Sequence, residues 1–188
     1  MEIAFILVLV SLVAYVMLAL YDGVFLHLIK YKLYQHKESQ LEHLTHTIRS
    51  ILFVGILYCL FISLESNKLF YFGLLLVFLD LVTMIIDAYT EKESRVFMGG
   101  LPRGEYILHL LVNGFHFATI ALFFVIKIDL SGNNVVLVTD FQEHGIFKVF
   151  KMVTVNLLPG AILIGLLHVL VYFERFHIIF RKLRIKCF

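Results

Sequence analysis

Tryptophan is absent from this chain of 188 residues, cysteine and proline occur twice each, and only 16% of the residues carry a charge. Each scarcity excludes something. Cys59 sits in an apolar run and Cys187 next to the last residue, so neither a disulfide framework nor a thiolate metal site is expected. Charge at 16%, against about 25% in ordinary soluble domains, excludes a nucleic-acid-binding domain and a disordered chain. A net charge of +2 gives no bulk attraction to any partner. What remains is apolar: 61% of the residues are hydrophobic, 19 are phenylalanine, and the mean hydropathy is +0.92. A chain of this length cannot hide that much apolar surface in one soluble core. The reading is an all-α integral membrane protein, one transmembrane domain over residues 1–188, with no room for a soluble catalytic domain. Its chemistry must come from side chains on the spans and their short loops.

A helical span needs about 20 mostly apolar residues. Five segments qualify, at about 3–29, 45–64, 69–88, 106–126 and 152–173. Pro159 in the fifth is expected to kink it. The sequence Ser39-Gln40-Leu41-Glu42 fits a capping box, with Ser39 capping the second helix. Residues 135–138 are β-prone and follow the turn signal 131–134, which points to a small hairpin. Residues 174–188 mix bases with Phe, Ile and Leu, the pattern of an amphipathic helix lying along the membrane surface. Twelve basic residues fall on one side of the five-span arrangement and four on the other. The positive-inside rule then puts the N-terminus outside and the tail in the cytoplasm of a multi-pass cell-membrane protein.

Ionisable groups within spans cost several kcal/mol unless paired or hydrated, and are functional candidates by default. Here they gather toward the expected cytoplasmic ends. Glu42 and His46 are spaced i,i+4 at the start of the second helix, and Glu105 and His109 at the start of the fourth. Asp22 comes from the first helix and Asp87 from the third. Four helices are thus expected to form a bundle around a polar site, with Asp22, Glu42, His46, Asp87, Glu105 and His109 as metal ligands. Further ligands are sought among His27, His43, His116 and His168, and supporting contacts from Asp80, Arg49 and Asn113. On an ideal helix Asp22 and His27 stand about 140° apart, so both reach one site only if that helix bends or twists. Glu91 and Arg95, also i,i+4, read as a solvated ion pair, and His36 and His177 as exposed.

Carboxylates and imidazoles suit iron, zinc and manganese. The Glu-x-x-x-His spacing differs from the Glu-x-x-His of dinuclear four-helix bundles. Only one His-x-x-His, at His43 and His46, matches the histidine boxes of membrane desaturases and hydroxylases. Neither family pattern is met, and no catalytic residue is assigned beyond the ligands. The expected function is a metal-dependent membrane enzyme, with iron favoured over zinc and manganese. It would be an oxygenase, hydroxylase or desaturase type of oxidoreductase acting on a lipid-like or quinone-like substrate, and could need a redox or assembly partner. The alternatives are a b-type haem electron-transfer protein using His46, His109 or His168, a zinc hydrolase, a proton relay and a non-catalytic subunit.

Overall fold

The computed structural model describes residues 1–130, 134–142, 145–173 and 175–176. Within these, five helical stretches are long and apolar enough to cross a membrane, over Glu2–Gln35, Lys37–Ile62, Asn67–Met98, Arg103–Lys127 and Gly145–Leu170. All five start before the limits set by hydropathy, and the first, third and fourth also end beyond them, because polar residues that face inward do not end a helix; the second and fifth stop two or three residues short, at Ile62 and Leu170.

Helix α1 covers Glu2–Ala19 and passes without a break into a π-helical segment, Leu20–Lys30. That segment ends on a π-type bond from the Tyr31 N–H to the Leu26 carbonyl at 2.8 Å, followed by Lys32 in the left-handed region at φ 52°. Helix α2, Gln40–Ile56, ends the same way, in a π segment over Leu57–Ile62. Its start is not a capping box. The Ser39 hydroxyl donates to the Ser94 carbonyl across the bundle at 2.7 Å and caps nothing. Helix α3 runs over Asn67–Ser94, with Ser66 accepting from the Leu69 N–H at its start. Gly99 and Gly100, both at positive φ, and Pro102 then turn the chain into α4, Arg103–Lys127. Helix α5, Gly145–Leu170, runs through Pro159. The expected hairpin is present as β1, Ile128–Asp129, paired antiparallel with β2, Val136–Leu137. Three of its turn residues, 131–133, lie outside the described residues. So does nearly all of the 174–188 tail, including His177.

The bundle has two unlike ends. At the hairpin end, phenylalanines fill the core: Phe5 packs edge-on to Phe150 with ring centroids 5.2 Å apart, and Phe61 to Phe123 at 5.1 Å. Lys127 is wholly buried there and donates to the Leu64 carbonyl at 2.6 Å, the Val138 carbonyl at 2.7 Å and Asn67 Oδ1 at 3.2 Å. One ammonium thus ties the α2–α3 and α4–α5 connections together with all its protons. Near this end, α3 and the π segment after α2 approach so closely at Gly73 that a Cβ there would overlap a Leu60 methyl. The opposite end, where the α1–α2 and α3–α4 connections lie, holds the ionisable residues.

Candidate metal centre

The π segment positions the first two ligands. Its i→i+5 hydrogen bonding stacks residues five apart in sequence, so Asp22 and His27 share one face, where an α-helix would splay them. His27 Nε2 lies 3.4 Å from Asp22 Oδ1 and 3.4 Å from Glu105 Oε1. Gly23, between them, lets α5 approach: a Cβ there would be 3.3 Å from His168 Nε2. Helix α4 brings Glu105 and His109 on successive turns, and His109 Nε2 lies 3.0 Å from Asp22 Oδ1. Asp22, His27, Glu105 and His109 therefore offer four ligand atoms within 4.8 Å of one another. A second set, His27, Glu42 and His46, meets the same criterion. His46 Nε2 is 4.0 Å from Glu42 and 3.3 Å from Asp87 Oδ2. Ligands that bind one ion at about 2.0–2.2 Å stand about 3–3.5 Å apart at tetrahedral or octahedral angles, which is the spacing seen around His27 and His109. One buried carboxylate oxygen of these sets, Glu105 Oε2, has no hydrogen-bond partner among the described residues. The donor set could hold a divalent metal by spacing, by chemistry and by this unpartnered atom.

All six expected ligands line this interior, and His27 joins them as a full member. Others belong elsewhere. His116 pairs with Asp80 at 3.0 Å, and Asp80 with Arg49 Nε at 3.3 Å, in a layer deeper in the bundle. Arg49 also donates to Asn113 Oδ1 at 2.8 Å and lies 3.7 Å from Asp87. His43 and His168 are buried and stack on each other with ring centroids 5.7 Å apart; neither belongs to the two ligand sets, although His168 stands beside them next to Gly23. Tyr172 packs on His43 at 4.8 Å, and burial pushes its phenol above the usual value. His36 is half-buried, stacked on Phe97 at 3.7 Å.

The solvated Glu91–Arg95 pair does not exist. Arg95 is wholly buried. Its guanidinium donates to both oxygens of Glu42, at 2.5 and 2.8 Å, and through Nε and Nη2 to Glu105, the Nε bond being 3.0 Å. Its Nη2 stands 3.2 Å from His27 Nε2. Glu91 instead meets His109 Nδ1, leaving Nε2 for the cluster. Carboxylates hold metal-ligating histidines in this way, fixing ring orientation and raising basicity. Thr45 likewise donates to Asp87 at 2.5 Å. Arg95, Glu91 and Thr45 are the participants that sequence spacing misses.

Beside the cluster lies a cavity of about 320 Å³. One part is polar, lined by Asp22, His46, Asp87, Glu91 and His109, with Arg49 above them. The rest is apolar, between Val16, Ala19, Phe53, Leu157, Ala161 and Ile164. No protein-family model, curated protein or solved structure matches this chain.

Proposed function

We propose that this is a membrane-embedded metalloenzyme whose ion is held by Asp22, His27, Glu105 and His109, with Glu42, His46 and Asp87 able to take a second. The observation that carries the reading is the charge balance at this end of the bundle. Six carboxylates, on Asp22, Glu42, Asp80, Asp87, Glu91 and Glu105, meet two guanidiniums, on Arg49 and Arg95. Four negative charges are left in a region with little water, where an uncompensated ion costs several kcal/mol. Two divalent cations would balance them. The competing balance is four protons shared among the imidazoles and carboxylates, which is the proton-relay reading.

Imidazole and carboxylate without thiolate favour iron, with zinc and manganese next. The half-apolar cavity supports a lipid-like substrate rather than a sugar or nucleotide. Iron would supply dioxygen chemistry at such a site. The protein's own groups divide the remaining work: Glu91 orients His109, Arg95 holds Glu42 and Glu105 together, and Arg49 neutralises Asp80 and Asp87 beside the cavity. Hydroxylation would consume one dioxygen, two electrons and two protons per C–H bond converted to C–OH, with water as the second product. The electrons must come from a redox partner. A zinc ion would instead polarise water for ester hydrolysis.

The test is product analysis in vesicles. Protein reconstituted with ferrous iron, a chemical reductant and oxygen should yield lipid chains that have gained one oxygen or lost two hydrogens. Zinc-loaded protein that releases fatty acid without oxygen would move the assignment to hydrolysis. Neither product with any of the three metals would refute the enzyme reading.

A further inference from the structure

The cavity beside the ligand cluster is walled on one side by residues that face outward. Leu20 is 40% and Leu163 58% exposed, and Asn156 and Gly160 are exposed between them on α5. These α5 positions lie well inside the span Gly145–Leu170. An opening at that depth meets lipid chains rather than water. The absence of a side chain at Gly160 is not a packing requirement. A Cβ at Gly23 or Gly73 would press on His168 or Leu60, whereas one at Gly160 meets nothing within 4 Å. Gly160 borders open space, as several exposed glycines do, but of these it alone lines the cavity.

We propose that this wall between α1 and α5 is a lateral portal through which one acyl chain of a bilayer lipid reaches the ligand cluster, and that Gly160 sets its width. The occupant follows from three features. The surroundings at this depth supply acyl chains in excess. The lining passes from apolar at Val16, Leu157 and Ile164 to polar at His46 and His109, which suits a chain whose reacting carbon lies at the inner end. About 320 Å³ is at the small end of the roughly 300–1,000 Å³ range of ligand pockets, enough for a single chain segment and too little for a two-tailed lipid. The inference rests on the acyl-substrate reading above and adds the route and the residue that limits it.

The absence of tryptophan makes the test direct. Phe53→Trp places a single indole on the inner lining of the cavity, and Phe78→Trp, at a 59% exposed position on α3, places one toward lipid. Each is reconstituted in phosphatidylcholine vesicles with brominated acyl chains, which quench indole fluorescence on contact. The Phe53→Trp indole should be quenched, and adding Gly160→Phe should cut that quenching several-fold while leaving the Phe78→Trp signal unchanged. Ile164→Trp with Gly160→Leu repeats the comparison with another reporter and a smaller plug. Undiminished quenching behind the plugged portal, or none at Phe53→Trp or Ile164→Trp with Gly160 intact, would overturn the proposal. Metal content measured on the same samples separates the two readings: a failed portal leaves it intact, and a failed metal centre leaves the quenching intact.

Discussion

Arg95 cannot bind a metal, yet it holds the ligand cluster together. It is among the largest fully buried side chains of the described residues, and its fork joins Glu42 of α2 to Glu105 of α4. Removing one partner of a buried ion pair costs about 3–5 kcal/mol, because the other charge is left uncompensated. Arg95→Met should therefore lower the unfolding temperature sharply in detergent, and Arg95→Lys, which keeps the charge but loses the fork, should fall between it and the native protein. Equal melting temperatures for all three would contradict the role given to Arg95. At the ligands, His109→Ala or Asp22→Asn should abolish stoichiometric metal, whereas His36→Ala, whose ring stacks on Phe97, should leave it unchanged in elemental analysis. Glu42, His46, Glu105 and His109 were legible in the sequence because i,i+4 spacing on α2 and α4 puts each pair on a shared face, and Asp22 and Asp87 because a carboxylate within a span calls for a partner. Arg95 and Glu91 were not. Their own i,i+4 spacing suggests an exposed pair, and only the extension of α3 to Ser94 and the turn after it swing Arg95 inward. Burial of a guanidinium depends on partners far away in sequence, 53 residues for Glu42.

The π segment of the first helix is the element on which the site's geometry turns. Its wider winding brings Asp22 and His27 to one face, and a one-residue insertion after Val24 would set them six apart. The helix would still cross the membrane, but His27 would rotate by about 100° away from Asp22. The expected result is a folded protein, judged by circular dichroism, with metal binding lost. Retention of full metal content would show that the register between Asp22 and His27 is dispensable. Between α3 and the π segment after α2 the close approach is at Gly73, where a methyl group would overlap Leu60. Overpacking of this kind typically costs about 1–3 kcal/mol, so Gly73→Ala should destabilise the fold without changing metal stoichiometry. The five spans were visible in hydropathy, but their ends were not. Hydropathy stops at Asp87 or Glu105, whereas a helix continues wherever those side chains find partners inside. The π segments had only one trace in sequence, the mismatch between Asp22 and His27 on an ideal helix.

The bundle places charge at one end and aromatic packing at the other. The charged end carries the α1–α2 and α3–α4 connections, and by the positive-inside rule the excess of basic residues there leads us to expect it in the cytoplasm. With Cys59 and Cys187 replaced, an introduced cysteine at the exposed Thr139 should react with an impermeant thiol reagent in intact cells, and one at the exposed Glu38 should not. The reverse pattern would invert the topology and move the site to the outer leaflet. In either orientation six carboxylates face two guanidiniums, and metal ions or protons must supply the remaining charge. Elemental analysis of protein purified from native membranes, read with its visible spectrum, addresses that balance most directly. The account predicts one or two divalent metal ions per chain, weak visible absorption, and loss of the metal in His109→Ala and Asp22→Asn. Metal-free native protein of unaltered stability would mean that protons balance the charge, and a strong Soret band would mean that the histidines ligate haem. Either result would contradict a carboxylate–histidine metal centre.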